Sequence, residues 1–149
     1  MATTMIIRPA RPKDGMRAIE IWRGAVDATH GFLMPEDRAA IDEMLCAFLP
    51  EAPLWLAVDQ ADRAVGFMLL DGGHMEALFV DPLFHGRGVG RALVAHGLAL
   101  HPAMTTDVNE QNGQAVRFYE RMGFVATGRS ALDGQGRPYP LIHLRYGPA

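Results

Sequence analysis

The chain of 149 residues has one cysteine, Cys46, so no internal disulfide can form and a cysteine-rich zinc site is excluded. Long apolar runs are also missing; none approaches the roughly 20 residues that cross a bilayer. The first residues, Met1 to Ile7, lack the basic flank and extended apolar stretch of a secretory leader. The expectation is a cytoplasmic protein with no membrane partner. Positive charge is not in excess, with 14 Lys and Arg against 17 Asp and Glu and a formal net charge of -3, which argues against a nucleic-acid partner. None of the six histidines has H-E-x-x-H spacing, so no metal is expected. Repeats and low-complexity linkers are absent, and residues 1–149 are expected to form a single domain. Hydrophobic residues make up 49% of the chain and charged residues 21%. At this length a chain buries roughly 70% of its unfolded surface without staples.

The apolar pattern predicts alternating elements. Met5 to Arg8 reads as a strand ended by Pro9. Asp14 reads as the cap of a helix carrying Met16, Ile19, Ile21, Trp22 and Val26. A second helix starts near Pro35 and carries Ile41, Met44, Leu45 and Phe48, closed by Pro50 and Pro53. Three short apolar runs, Leu54 to Val58, Ala64 to Leu70 and Met75 to Val80, are separated by turn residues and predict an antiparallel meander. A helix with Val89, Leu93, His96 and Leu100 on one face follows, then a strand from Thr105 to Val108 and a helix from Asn112 to Met122. A final hairpin joins Phe124 to Ala131 with Tyr139 to Tyr146. The order βααβββαβαββ predicts an α/β fold, a mixed sheet layered with helices.

Two segments carry chemistry. In the first, Leu78-Phe79-Val80-Asp81-Pro82-Leu83-Phe84-His85-Gly86-Arg87-Gly88-Val89-Gly90-Arg91, a strand passes through a glycine-rich turn into a helix. A helix N-terminus presents unpaired N–H groups, and glycines let that backbone approach a phosphate without a Cβ in the way. Arg87 and Arg91 add full positive charges. No Gly-Lys-Ser/Thr follows, which excludes a Walker loop, and Arg91 stands where a dinucleotide fingerprint needs its third glycine. In the second segment Asn112, Ala115, Tyr119 and Met122 share one helix face, and Gly123 ends the helix.

Together, the Gly-x-Gly-x-Gly helix entry and the later Asn-x-x-Ala-x-x-Phe-Tyr-x-x-x-Gly-Phe pattern resemble the GNAT superfamily of N-acetyltransferases, over nearly the whole chain and in the same element order. The resemblance implies a mostly antiparallel sheet flanked by helices, with a splayed-strand cofactor cleft, and acetyl-CoA as co-substrate. It implies that backbone groups at Leu78, Phe79 and Val80 hold the pantetheine arm and polarise the thioester carbonyl. His85, Gly86, Arg87, Gly88, Val89, Gly90 and Arg91 would take the diphosphate, and Asn112 would contact the pantetheine or hold the adjacent loop. His85 stands where the family usually begins this loop with Gln or Arg.

The implied reaction is transfer of an acetyl group to a primary amine, with Tyr119 as the acid that protonates the leaving thiolate. A lysine-like amine has a reference pKa near 10.4 and must also lose a proton first. His74 and Glu76 alternate onto one strand face with Leu78 and are the candidate bases. An imidazole titrates near neutrality, whereas a carboxyl needs burial to do so. Asp27, His30 and Phe32 from the first helices and Tyr139 from the hairpin are candidates for the acceptor entrance; Trp22 is expected to pack inside. The acceptor stays open between a protein lysine and a small amine. The other class in play is a catalytically idle acyl-CoA-binding module, which would keep the loop and need no acid or base. The terminal hairpin leaves a strand edge through which two chains could pair as a homodimer.

Overall fold

In the computed structural model, which describes residues 5–29 and 31–147, the elements follow the expected order. They are β1 (Ile6–Pro9), α1 (Gly15–Thr29), α2 (Pro35–Phe48), β2 (Trp55–Val58), β3 (Ala64–Asp71), β4 (His74–Val80), α3 (Val89–Leu100), β5 (Thr105–Asn109), α4 (Gly113–Met122), β6 (Phe124–Ser130) and β7 (Leu141–Tyr146). The seven strands hydrogen-bond in the order β1-β2-β3-β4-β5-β7-β6. β1–β2, β2–β3, β5–β7 and β6–β7 pair antiparallel, and β4–β5 is parallel. The last two strands are inverted relative to sequence order, so β7 lies between β5 and β6. Contacts divide the chain into two compact units, Met1–Leu69 with Ala77–His96, and Leu70–Glu76 with Gly97–Ala149. Among the described residues no helix is long and apolar enough to cross a membrane.

In the first unit the apolar face of α1 meets the inner faces of β2 and β3. Ala18, Ile21, Trp22, Leu56, Val58 and Phe67 are almost fully buried there. α1 starts hard against a three-residue 3-10 turn, Leu49–Glu51: a Cβ on Gly15 would sit 2.8 Å from Pro50 Cβ. Two local expectations are corrected. Pro9 is part of β1 rather than its terminator, because β1 is an edge strand and loses no ladder bond through the missing N–H. Asp14 does not cap α1. It ends a 3-10 turn, Pro12–Asp14, and its carboxylate turns back to the Arg11 N–H (2.8 Å) and the Arg8 guanidinium (2.9 Å). Met16 lies on the solvent side of α1, 72% exposed.

α2 begins with Pro35 at its first turn, as expected, yet none of its residues is fully buried, and Met44 and Phe48 are exposed. Ionic contacts help hold it instead. Asp42 bridges Arg23 (2.8 Å) and Arg38 (2.8 Å), and the Arg38 guanidinium lies 4.8 Å from the Trp22 ring centre. The two guanidiniums, Arg23 foremost, hold the Asp42 carboxyl well below the usual carboxylate range.

In the second unit α4 packs on β5 and β6 through Tyr119, which meets Phe124 edge-on, and Phe124 in turn meets Tyr146, each at 5.4 Å between ring centres. Gly123 ends α4 at φ 107, in the left-handed region that a side chain would strain. The hairpin loop closes on Asp133, whose Oδ1 accepts from the N–H groups of Gln135 and Arg137. A β-bulge interrupts β6 between Ala126 and Gly128. The parallel pairing of β4 with β5 comprises His74↔Thr105 and Met75↔Thr106.

Candidate active site

The glycine-rich loop belongs to the first unit, and its entry is tightly held. At the end of β4 the Asp81 N–H donates to Val65 O (2.9 Å). Asp81 Oδ1 accepts from Leu83 N (3.0 Å), capping a 3-10 turn over Pro82–Phe84. Arg17 of α1 reaches the same carboxylate at 2.5 Å while its Nε donates to Ala64 O at 2.9 Å. Burial alone would raise the Asp81 pKa; the Arg17 guanidinium and the Leu83 N–H outweigh it and hold the carboxyl below its ordinary value. Two contacts to the Asp81 carboxylate, with the Asp81 N–H and the Arg17 Nε beside them, tie strand, turn and helix together.

Beyond that anchor the chain opens. His85 is extended and exposed, and Gly86 (φ 75) and Gly88 (φ 80) occupy the left-handed region with no atom within 4 Å of where a Cβ would stand. Gly88 O accepts the Ala92 N–H at the start of α3. The first N–H groups of α3 have no carbonyl partner within the helix, and the partial positive charge of a helix N-terminus stands behind them. Arg87 lies over the Phe84 ring at 5.2 Å, and Arg87 and Arg91 are both exposed. Val89 is buried and fastens the helix start to the sheet. Residues 86–91 thus fit a diphosphate, with glycine backbone and two cations as its donors. Leu78, Phe79 and Val80 lie half-buried on β4, and Phe79 packs on Phe67 at 5.6 Å.

The acid and base candidates lie in the second unit. Tyr119 is 6% exposed. Burial pushes its phenol well up, and hydrogen bonding with the Thr106 side chain offsets only part of that. The hydroxyl therefore keeps its proton throughout the physiological range. Asn112 caps α4, its Oδ1 accepting from Ala115 N at 3.2 Å, which places it at the loop after β5 as an organising residue. His74 is half-buried, with Nδ1 2.7 Å from Thr105 Oγ1 and Nε2 3.3 Å from Asp107 Oδ2. Glu76, two residues along the same strand face, is exposed. Thr106 and Asp107 point to opposite faces of β5, so the Tyr119 phenol and the His74 imidazole approach that strand from opposite sides.

The entrance candidates differ in burial and partners. Asp27 is exposed and ion-paired to Arg38 at 3.0 Å. Phe32 is half-buried, and His30 lies outside the described residues. Tyr139 is 4% exposed, a core residue of the hairpin base rather than an open wall, because the chain folds back there with Tyr139 N–H donating to Arg137 O. Sequence reasoning passed over Arg17, Asp81, Thr106 and Asp107. Only Asp81 had a local signal, as an aspartate immediately before proline at a strand end. Among the described residues no group of three or more His, Cys, Asp or Glu is placed to hold a metal ion.

Residues 32–136 match the model of the acetyltransferase (GNAT) domain family. The chain is 56% identical over 140 residues to the peptidyl-lysine N-acetyltransferase YjaB of Salmonella typhimurium, covering 94% of this chain and 97% of that relative. It is 54% identical over 140 residues to the protein of the same name from Escherichia coli, covering 94% and 95%. The solution structure of apo-form YjaB from Escherichia coli superposes with a TM-score of 0.94 at 53% identity, covering 98% of this chain and 99% of that one.

Proposed function

The chain belongs to the GNAT acetyltransferase family and is an acetyl-CoA-dependent N-acetyltransferase; on that premise we propose that its acceptor is the side-chain amine of a protein lysine, with Tyr119 as general acid. The acceptor reading is carried by identity above one half, sustained along nearly the whole chain, to relatives named for peptidyl-lysine acetylation.

Residues 85–91 bind the diphosphate through backbone N–H groups, and the backbone at Leu78, Phe79 and Val80 holds the pantetheine arm and the thioester carbonyl. A donor placed where negative charge develops on that oxygen is worth about 3–4 kcal/mol by analogy with other oxyanion sites. Asn112 holds the loop after β5. The acceptor ammonium must give up a proton, which at pH 7 costs about 4–5 kcal/mol for a lysine-like amine. The β4 face with His74 and Glu76 takes that proton. Tyr119, fully protonated when the carbon–sulfur bond breaks, donates a hydrogen bond to the departing thiolate. Its raised pKa makes complete transfer uphill, so stabilisation of the developing charge is its main contribution. Asp27, His30, Phe32 and Tyr139 shape the acceptor side, Tyr139 from within the core.

The test is thiol release from acetyl-CoA with lysine peptides, polyamines and small amines. Turnover with lysine peptides is expected. Tyr119→Phe should lower kcat by about 10–1000-fold with little change in KM for acetyl-CoA. An unchanged kcat removes Tyr119 from the mechanism. Turnover confined to small amines overturns the acceptor reading. No turnover, with CoA still bound tightly in calorimetry, would identify an idle acyl-CoA-binding module instead.

A further inference from the structure

The sheet order places β7 directly beside β5, and the register sets Asp107 opposite His143 on one sheet face. His143 Nδ1 lies 2.5 Å from Asp107 Oδ1, while the second carboxylate oxygen, Oδ2, faces His74 Nε2 at 3.3 Å. One carboxylate is thus shared by two imidazoles. The outer nitrogen of each ring meets a hydroxyl: His74 Nδ1 meets Thr105 Oγ1 at 2.7 Å, and His143 Nε2 meets Ser130 Oγ at 2.6 Å.

An ionised carboxylate only accepts, so the ring nitrogens facing it carry the hydrogens. In the neutral rings each outer nitrogen then has a lone pair, and each hydroxyl donates to it. Both tautomers are set by one residue. The bulge in β6 supplies the last member. Without the extra residue Thr127 would stand opposite His143 and Ser130 would point to the other face; with it Gly128 takes that place and Ser130 returns to the imidazole side. Gly128 has no side chain to cover the ring, its built Cβ standing 3.5 Å from His143 Cδ2.

From this arrangement we infer that His74 rather than Glu76 is the proton acceptor for the incoming amine, and that Asp107, braced by His143 and Ser130, is the positioning residue that fixes its reactive tautomer. The inference rests on the acetyl-transfer reading and specifies its base. The Thr105 hydroxyl relays the step. The ammonium N–H bond breaks toward Thr105 Oγ1 as the Thr105 proton passes to His74 Nδ1, leaving a neutral amine and an imidazolium beside Asp107. With both rings neutral and the carboxylate ionised the row carries one negative charge, so uptake of a proton brings it to neutrality and builds no net positive charge. This is the hydroxyl–imidazole–carboxylate logic of serine hydrolases, used to accept a proton and not to make a nucleophile. Also on this face are Glu76 on β4, Arg145 opposite Thr105 on β7, and the exposed Val125 opposite Arg145 on β6. All groups of the row are at least part-exposed, so the imidazolium can return its proton to solvent after turnover.

The experiment pairs two acceptor peptides, one with a lysine side chain and one with an isosteric aminooxy group that is unprotonated at pH 7. Asp107→Asn should lower kcat/KM for the lysine peptide by about 100-fold at pH 7, within the general-base range, and leave the aminooxy peptide within about 3-fold of wild type. The lysine defect should shrink as pH rises toward the pKa of the amine. His143→Gln should give a defect of the same kind and about 10-fold. Calorimetry with acetyl-CoA and a melting curve accompany each variant. Wild-type rates with the lysine peptide in Asp107→Asn overturn the inference. Equal losses with both peptides also overturn it, since a folding or binding defect does not depend on the acceptor's proton. Failure of the wild-type enzyme with every amine would overturn the acetyl-transfer reading itself, and this inference with it.

Discussion

Gly66 lies where the sheet packs against the start of α3, the helix entry proposed to take the diphosphate, and replacing it with alanine probes that packing. A Cβ at Gly66 would stand 2.8 Å from Val89 Cγ1, 3.2 Å from Phe79 O and 3.3 Å from Leu93 Cδ1. None of these neighbours is the loose end of an exposed side chain. Val89 is β-branched and 2% exposed, Leu93 is fully buried, and Phe79 O is backbone. Ordinary carbon–carbon contact lies near 3.5–4.0 Å, so α3 must move off the strand by roughly 1 Å or Val89 must leave its rotamer. Overpacking of this kind costs about 1–3 kcal/mol, equivalent to a fall in Tm of about 2–12 °C for a chain of this size. Val89 is the first residue of α3, so the shift is delivered to the N–H groups proposed to take the diphosphate. KM for acetyl-CoA should rise about 10-fold or more while kcat at saturation changes less. Gly134→Ala, where no atom lies within 4 Å of the new Cβ, is the control and should stay within about 0.5 kcal/mol of wild type. Differential scanning calorimetry and thiol-release kinetics read both quantities. A Gly66→Ala protein with wild-type Tm and wild-type KM would refute the claim that this contact positions the helix.

Gly88→Ala meets no neighbour but must hold φ 80, a strain of about 1–2 kcal/mol that the loop relieves only by leaving this conformation. Isothermal titration should show acetyl-CoA binding weakened by about 10-fold, one factor of ten per 1.4 kcal/mol. Asp14 tests the ionic anchor of β1: the Arg8 guanidinium, foremost, holds its pKa below the ordinary 3.8 despite burial. A carboxyl with a depressed folded-state pKa stabilises fully above its unfolded value, and that contribution is withdrawn as pH falls through the folded pKa. Asp14→Ala should therefore melt earlier than wild type at pH 7, by about 1–3 kcal/mol, and the two curves should converge below pH 3.8.

Signals that were local in sequence carried through to the structure. The strand, turn, glycines and helix from Leu78 to Leu100 lie where the pattern predicts, because chain reversal and helix entry depend on a few adjacent residues. Gly123 ends α4 for the same reason. Misreadings arose where a tertiary partner competed with a local rule. Asp14 has the composition of a cap, but the Arg8 guanidinium and the Arg11 N–H claim its carboxylate first. Tyr139 looks like an exposed hairpin residue, and only the fold of the loop shows that it is buried. α2 has an apolar stripe at helical spacing, yet the stripe is only half covered.

The row around Asp107 was illegible for a deeper reason. Its members come from four strands, and their meeting depends on three facts that no window of sequence contains. β7 inserts between β5 and β6, so Asp107 faces His143 across 36 residues. The β5–β7 register places both on one face, and a slip of a single residue would send them to opposite faces. The bulge at Ala126–Gly128 then turns Ser130 to the same side. A histidine and an aspartate on strands are ordinary when read alone. What distinguishes these is that each hydrogen-bonding atom of the two imidazoles has a partner whose donor or acceptor role is dictated by the next, ending at hydroxyls on both sides. A surface row with no role would tolerate loss of its central carboxylate with only the small change typical of exposed ion pairs, about 0–1 kcal/mol. A row that sets a tautomer would lose rate in proportion to the acceptor's need for a base, and that difference separates architecture from chemistry.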